Sequence, residues 1–310
     1  MNVLIAGSSG LIGTALVERL TLADHTVTRL VRGAPPGRPA AGRSRGVAWD
    51  PAAGTIDMEG LERAGPFDGV VNLAGAGIGD RRWSMARKKL VRGSRVSATS
   101  LLAGTLLRLS TPPAVLVSAS AVGFYGDRGD EELTETSTSG TGFLASVCRA
   151  WEAEARSVAD AGIRTVLLRS GIVLSRQGGA LRRLLPIFRA GLGGRTGTGA
   201  QYRSWITITD EVNAIVHCLG DNGVAGPVNA TAPSPVTDAD LARTLGAALH
   251  RPSALAVPAG ALRLLLGAEM ADELVLGGQR VLPTILSNRG FEFAHPDIDG
   301  AVRAVIAADG

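Results

Sequence analysis

Lysine is nearly absent from this sequence. Of its 32 basic residues only Lys88 and Lys89 are lysines, and the formal net charge is +4 over 310 residues. So small a positive excess, with no recognition motif, argues against nucleic-acid binding. We interpret the basic run around the two lysines as a solvated helix face.

Cysteines, histidines and long apolar runs are also scarce. Cys148 and Cys218 lie far apart and fit neither a disulfide framework nor a metal site, and the four histidines are scattered. We therefore expect a reducing, cytoplasmic location and no metal. No apolar run reaches the about 20 residues of a membrane span. We expect no cleavable leader before the first strand and no membrane association.

Alternating strands and helices dominate the first half of the chain. Apolar residues make up 45% of the sequence and charged residues 19%, enough apolar material for a sizeable core. Continuous apolar runs predict strands at 2–6, 26–31, 47–50, 69–73, 115–118 and 164–168. Helical spacing predicts helices at 11–22, 84–109 and 142–161. This alternation is typical of an α/β fold with a doubly wound, parallel Rossmann sheet.

The chain becomes irregular after Ser170. The segment 35–46 reads as a loop, 178–199 contains seven glycines, and 223–236 contains three prolines and two glycines. We expect no regular sheet in the last two segments. The predicted division is a core of 1–175 with a returning part near 205–232, and a smaller C-terminal lobe of 176–204 and 233–310. The predicted helices of the lobe are 238–249, 259–266 and 299–307.

The segment GSSGLIG joins the first strand to the first helix. Gly7 permits a sharp turn, Gly10 permits close approach of a pyrophosphate, and Gly13 permits tight packing of the helix on the strand. Free N–H groups at the helix N-terminus favour phosphate binding. The turn therefore predicts a dinucleotide site. Its other members are Ser9, Leu11 and Ile12.

The second strand ends without the acid that commonly accepts a hydrogen bond from the ribose 2′-hydroxyl of NAD. Instead it carries Arg29 and Arg32, and no Asp or Glu occurs from residue 27 to 46. A guanidinium binds a 2′-phosphate bidentately, whereas a carboxylate repels it. We therefore predict NADP(H), with Arg32 reading the 2′-phosphate. Arg29 either assists or faces solvent.

One arginine falls on an otherwise apolar stripe of the helix at 84–109. Arg95 would be costly to bury without a partner. The sequence leaves two alternatives for this partner: a phosphate or carboxylate at the cofactor site, or a carboxylate of the protein. The stripe consists of Val91, Arg95, Ala98, Leu102 and Thr105.

The chain resembles the extended and atypical short-chain dehydrogenase/reductases, and within them the NAD-dependent-epimerase-like group with a C-terminal domain of unknown function. The resemblance rests on segments throughout the chain, among them VLIAGSSGLIGTALVERL, VVNLAG, SASAVGFYG, LLRSGIVLS, GLGGRTGTG, SWITITD and QRVLPTILSNRGFEF. It implies an NADP-binding Rossmann core and a lobe that closes over the cofactor. It also implies that Arg95 approaches the cofactor from its helix and that Val173 flanks the nicotinamide. Three residues are implied beside the adenosine or its ribose: Leu73, Ala74 and Gly75.

Enzymes of that superfamily use a serine or threonine together with a YxxxK pair, which this chain lacks. Its only tyrosines are Tyr125 and Tyr202, and neither precedes a lysine at that spacing. Aligning Glu152 with the glutamate common in extended members puts Leu144 in the tyrosine position and Cys148 in the lysine position. Neither side chain performs the acid–base step of the missing pair.

Ser120 and Tyr125 are the remaining catalytic candidates. The resemblance places Ser120 at the substrate-binding serine, and Tyr125 is in the following YG pair. Together they would orient and protonate a carbonyl, or else they are an ordinary strand-end hydroxyl and a pocket wall. Two functions stay open: an NADP(H)-dependent oxidoreductase or epimerase acting on a small carbonyl or sugar-like substrate, and a catalytically silent NADP(H)-binding sensor. The oligomeric state is not predicted.

Overall fold

The computed structural model describes residues 1–33 and 44–307. Within them the strands are β1 (Asn2–Ala6), β2 (Thr26–Val31), β3 (Ser44–Asp50), β4 (Thr55–Ile56), β5 (Gly69–Asn72), β6 (Val115–Ala121), β7 (Glu132–Leu133), β8 (Arg164–Ser170), β9 (Ile172–Leu174), β10 (Gly194–Thr196), β11 (Tyr202–Arg203), β12 (Trp205–Thr207), β13 (Gly226–Ala230), β14 (Val236–Thr237), β15 (Leu255–Val257) and β16 (Arg280–Val281).

The α-helices of the same residues are α1 (Leu11–Leu22), α2 (Met58–Ala64), α3 (Met85–Leu106), α4 (Phe143–Asp160), α5 (Gly179–Arg189), α6 (Ile208–Gly220), α7 (Asp238–Ala248), α8 (Ala259–Leu266), α9 (Ala268–Ala271), α10 (Thr284–Asn288) and α11 (Ile298–Ala307). A 3-10 turn, Val122–Tyr125, follows β6, and a π-helical turn, Asp272–Leu276, follows α9. No helix in this part of the chain is both long and apolar enough to cross a membrane.

The central sheet has the strand order β13-β8-β6-β5-β1-β2-β3-β4. All neighbours are parallel except β3 and β4, which are antiparallel. The chain first builds outward from β1 through β2 and β3, then crosses to β5 and continues in the other direction. This order confirms the predicted doubly wound Rossmann sheet and places its switch point between β1 and β5.

Helices cover both faces of the sheet, which explains why its strands read as continuous apolar runs. On one face α1 and α6 pack over Val3, Ile5 and Val117. On the other, α3 and α4 pack over Leu4, Val70 and further apolar side chains. The carboxyl ends of the strands are therefore the open edge of the layer.

The prediction that 178–199 and 223–236 contain no regular sheet is wrong. Gly226–Ala230 forms β13, the edge strand of the central sheet, where a Pro without an N–H is tolerated. Its Val228 and Ala230 are fully buried, and this burial outweighs the weak strand propensity of its glycine and proline. Gly194–Thr196 forms β10, which pairs with β15.

Helices α2, α5, α6, α9 and α10 were not predicted. For α6 the sequence carries a capping signal, because the Thr207 side chain accepts a hydrogen bond from the Asp210 N–H. Strand β3 begins at Ser44, inside the segment 35–46 that was predicted as a loop. The earlier part of that segment, 35–43, lies outside the described residues.

A separate apolar cluster organises the C-terminal part of the chain. There α5, α7 and α11 pack around Trp205 and Leu245. The buried Arg203 side chain joins several segments, since Nε donates to Asp238 Oδ1 at 2.9 Å and Nη1 donates to the Gly277 carbonyl at 3.0 Å. These contacts hold β11 against the start of α7 and against the turn that follows α9.

This same turn caps the helix α4. The N-cap residue of α4, Gly142, has no side chain to satisfy the first N–H groups. Glu273 does so instead, accepting from the N–H groups of Phe143 and Leu144 at 2.8 Å each. A carboxylate at this place is favoured by both the hydrogen bonds and the helix dipole.

We expect Glu273→Ala to lower the free energy of unfolding by about 1–2 kcal/mol, because the α4 N–H groups lose their acceptor. Urea denaturation followed by circular dichroism measures this. The control is Glu269→Ala, which removes only a partly exposed ion pair with Lys88 and should cost less than about 0.5 kcal/mol. Equal effects of the two substitutions would contradict the capping role.

Glu211 is a fully buried carboxyl on α6. Ser170 at the end of β8 donates a hydrogen bond to its Oε1 at 2.6 Å, and no described residue bonds to its Oε2. Burial raises the pKa of Glu211 from its ordinary value of 4.5 to about 7, and the Ser170 bond opposes this only in part.

The raised pKa of Glu211 makes stability pH-dependent. The native state keeps this proton to a higher pH than the unfolded state, so the free energy of unfolding falls as pH rises from 4.5 to 7. We expect Glu211→Gln to remove this fall and to gain about 2–3 kcal/mol over wild type between pH 4.5 and 8. Urea denaturation across that range tests this, and parallel curves for the two proteins would sink the assignment.

Candidate functional site

The glycine turn lies at the switch point, where the ends of β1 and β5 meet. Gly7 has φ +81°, and a Cβ on it would lie 2.6 Å from the Leu73 carbonyl carbon and oxygen. A Cβ on Gly13 would lie 2.2 Å from the Gly7 carbonyl oxygen. Both positions therefore require glycine, one for the turn against the β5 loop and the other for close packing of α1.

The N-terminus of α1 is open and carries no negative charge. A Cβ on Gly10 would meet only the Gly7 carbonyl oxygen, at 3.4 Å, so space remains outside it. No side chain caps α1, and its first turn holds no acid. Ser9 beside it is exposed. These features suit a bound phosphate group, whose oxygens would accept from the free N–H groups.

The segment after β9 runs close to this N-terminus. Leu11 packs against Gly178, where a Cβ would come within 3.2 Å of the leucine side chain. Ile12 and Val173 both pack against the core cluster beneath. The loop leading into α5 thus borders the glycine turn, as expected of a lobe that covers it.

The arginines of β2 differ in their surroundings. Arg32 is exposed directly after the strand, next to the glycine turn in the sheet order. Arg29 is partly buried, and its Nε has no hydrogen-bond partner among the described residues. Among residues 1–33 and 44–307, no hydrogen bond or ion pair occupies the Arg32 guanidinium at the tip of β2.

The loop after β5 holds the three predicted residues Leu73, Ala74 and Gly75. The Ala74 N–H donates to Asn72 Oδ1 at 3.2 Å, and Leu73 touches the glycine turn. Gly75 lies against a side chain from α3: a Cβ on it would lie 3.1 Å from the Arg95 guanidinium carbon.

Arg95 is buried, with 7% of its surface exposed. Its Nη1 donates to the carbonyls of Ala76 at 2.9 Å and Val91 at 3.0 Å, and its guanidinium lies 5.0 Å from the Trp151 ring centroid. No carboxylate pairs with it within the described part of the chain, so the protein acid considered as a partner is not found. Burial lowers the pKa of Arg95.

Leu144 and Cys148 of α4 face the end of β6 and the 3-10 turn that follows it. The Leu144 Cβ would lie 3.3 Å from a Cβ on Gly123, and Cys148 Sγ lies 3.7 Å from the Ala121 carbonyl oxygen. Burial raises the pKa of the Cys148 thiol to about 11. The thiol is therefore neutral, and α4 offers no cation at this place.

Ser120 and Tyr125 are brought together by Glu152 and by two residues that were not predicted, Arg169 and Asn229. Arg169 on β8 makes a bidentate pair with Glu152 on α4, at 2.8 and 2.9 Å, and its Nη1 donates to the Tyr125 hydroxyl at 3.0 Å. Ser120 Oγ donates to Glu152 at 2.7 Å, and the Tyr125 hydroxyl donates to Asn229 Oδ1 at 2.7 Å. Ser120, Arg169 and Asn229 are register partners on β6, β8 and β13.

In this arrangement the Ser120 and Tyr125 hydroxyls both donate their protons to hydrogen bonds within the protein. Tyr125 is 0% exposed, and burial raises its pKa although Arg169 opposes the shift. The Tyr125 ring packs in an apolar cluster with Phe124, Leu133 and Val281, and its hydroxyl lies between Arg169 and Asn229. The signal for this network was a charged residue, Arg169, within an apolar strand run, where burial demands a counter-charge.

Two family models match the chain. The "NAD dependent epimerase/dehydratase family" matches residues 3–230, and "Domain of unknown function (DUF1731)" matches residues 257–305. No group of His, Cys, Asp and Glu that could hold a metal occurs in the described residues.

Several known proteins are similar over nearly the whole length. An "epimerase family protein" of Mycobacterium bovis is 45% identical, covering 97% of this chain and 96% of its own. The human epimerase family protein SDR39U1 is 37% identical over 99% of this chain and 100% of its own. A crystal structure of the human protein (isoform 2) with NADPH superposes with a TM-score of 0.85 at 33% identity, covering 99% of each chain. The chain belongs to the NAD-dependent epimerase/dehydratase family, and its residues 257–305 form the DUF1731 domain.

Proposed function

We propose that this chain binds NADP(H) along the carboxyl edge of its sheet and acts on a small carbonyl or sugar-like substrate. The observation that carries the proposal is the uncapped, acid-free N-terminus of α1 behind the Gly7–Gly13 turn, with Arg32 exposed one strand away. The human relative crystallised with NADPH supports the choice of nucleotide.

The groups along the carboxyl edge of the sheet lie in the order in which they would meet the successive parts of a bound dinucleotide. Arg32 at β2 meets the 2′-phosphate, the N-terminus of α1 at β1 meets the pyrophosphate, and the nicotinamide half extends over β5 and β6 toward Val173. The residues proposed to contact the nucleotide are Gly7, Ser9, Gly10, Leu11, Ile12, Gly13, Arg32, Leu73, Ala74, Gly75, Arg95 and Val173.

When bound, NADPH supplies a hydride to a carbonyl, and NADP⁺ accepts one. The residues proposed to orient the reacting oxygen are Ser120 and Tyr125. To reach it, Tyr125 must exchange its bond to Asn229 for one to the substrate, or Ser120 its bond to Glu152. Arg169 would remain beside the Tyr125 hydroxyl and favour its ionised form.

The same hydrogen bonds favour a second candidate function, a silent NADP(H)-binding sensor. A buried Tyr125 and a neutral Cys148 supply no acid–base pair, while the nucleotide cradle is intact. A cytoplasmic location is part of both proposals and rests on two free, buried cysteines.

We expect wild-type protein to bind NADPH more tightly than NADH, and Arg32→Ala to remove the preference by weakening NADPH about 10-fold or more. Isothermal titration calorimetry measures both affinities. The control is Arg19→Ala, an equal charge change at the far end of α1, which should alter neither. Equal affinities of wild-type protein for the two nucleotides would refute the assignment of NADP(H).

A substrate screen separates the enzyme from the sensor. Aldehydes, ketones and keto sugars are tested while NADPH absorbance is followed. If the chain is an enzyme, Tyr125→Phe lowers kcat on the substrate found by about 100-fold and leaves the Kd of NADPH unchanged. Turnover that survives in Tyr125→Phe would remove Tyr125 from the mechanism, and no turnover with any substrate would favour the sensor.

A further inference from the structure

The segment 76–84, which we call the strap, joins the β5 loop to α3 and contacts two helices of the C-terminal part of the chain. Near its end, Arg82 Nη2 donates to the Leu264 carbonyl of α8 at 3.2 Å. Within it, Trp83 Nε1 donates to the Ile78 carbonyl at 3.1 Å, which holds the strap in a folded shape. Its other contact in that part of the chain is with α5.

Asp80 is the centre of the contact between the strap and α5. Arg183 of α5 donates from Nη2 to Asp80 Oδ1 at 2.9 Å and from Nη1 to the Gly79 carbonyl. On the other side of the carboxylate, Arg87 of α3 donates to Oδ2 at 3.3 Å. A Cβ on Gly77 would lie 2.1 Å from Asp80 Oδ2, so glycine is needed there to make room for the carboxylate. Asp80 therefore holds α3, the strap and α5 together.

The ion pair between the strap and α5 closes a ring of contacts around the glycine turn. The β5 loop, which the strap continues, meets the turn where Leu73 lies against Gly7. The segment that leads into α5 meets it at the other end, where Gly178 lies against the Leu11 side chain. A nucleotide bound at the turn would therefore lie inside this ring.

The ion pair is the weak member of the ring. The side chains of Arg183 and Asp80 are 59% and 56% exposed, whereas those of the buried pair Arg169 and Glu152 are 3% and 1% exposed. Water and salt screen an exposed pair, so it contributes little stability and breaks at small cost. The ring can therefore open at this contact while the packed contacts at the glycine turn stay in place.

We propose that the strap is a gate for the nucleotide, held closed by Asp80 and Arg183, and that nucleotide enters and leaves when this ion pair breaks. The inference rests on the proposed NADP(H) function and adds to it the control of entry and release. In this role the pair need not touch the nucleotide. It then slows association and dissociation alike and leaves the affinity unchanged.

The test measures the rates of NADPH binding by stopped-flow fluorescence. Association is followed after mixing protein with NADPH, and dissociation after displacement of bound NADPH by excess NADP⁺. The variants are Asp80→Asn, Arg183→Gln and the double substitution. The control is Arg182→Gln, which removes the same charge from the neighbouring exposed position, where Nη1 donates to the Gln177 carbonyl.

We expect Asp80→Asn and Arg183→Gln each to raise both rate constants about 2- to 5-fold, as fits the loss of an exposed ion pair, with the Kd of NADPH within twofold of wild type. The double variant should match either single variant, because all three lose the same contact. Arg182→Gln should accelerate neither step.

The opposite charges of the two residues separate gating from electrostatic attraction. Attraction of the anionic nucleotide alone predicts faster association for Asp80→Asn but slower association for Arg183→Gln. Slower or unchanged association in Arg183→Gln would therefore overturn the inference, and a raised Kd caused by faster dissociation alone would show a direct contact with the nucleotide instead. If wild type does not bind NADPH, the proposed function itself fails, whereas unchanged rates in the variants concern only the gate.

Discussion

The buried ion pair between Arg169 and Glu152 holds the functional edge of the sheet together. Through it β8, α4 and the end of β6 share one set of hydrogen bonds, and Tyr125 and Asn229 extend that set to β13. Removing either charge would leave the other buried and alone, at a cost of about 3–5 kcal/mol. The positions of Ser120 and Tyr125 follow from this pair.

The residues proposed to bind the nucleotide are also distinct from those that this pair holds in place. The nucleotide cradle depends on backbone geometry at Gly7 and Gly13 and on the exposed Arg32, none of which involves Arg169. The Ser120 and Tyr125 hydroxyls, which would transfer a proton, are instead hydrogen-bonded within the network around this ion pair. A protein built this way retains its nucleotide site whether or not it turns over a substrate.

Local sequence signals were sufficient for most strands of the central sheet and for the glycine turn. Apolar runs predicted the buried parallel strands β1, β2, β5, β6 and β8, because both faces of the sheet are covered and no alternation is needed. The strand β13 was missed because glycine and proline are poor strand formers. Its place beside β8 comes from burial of Val228 and Ala230, a tertiary contact that no local pattern shows.

The candidate site, like the fold, was predictable from the sequence only in part. The need for glycine at Gly7 and Gly13 was predictable because spacing along one strand–turn–helix segment determines it. The role of Arg32 stays a prediction. The enclosure of Tyr125 was not predictable, since its partners Arg169 and Asn229 come from strands far along the chain. Nor could the sequence show that no carboxylate among the described residues pairs with Arg95, because pairing across elements depends on the folded arrangement.

A crystal structure of this chain with NADPH tests the central claim most directly. The account predicts the 2′-phosphate at Arg32, the pyrophosphate at the N-terminus of α1 and the nicotinamide over β5 and β6. Nucleotide bound elsewhere, or with its 2′-phosphate away from Arg32, would contradict it.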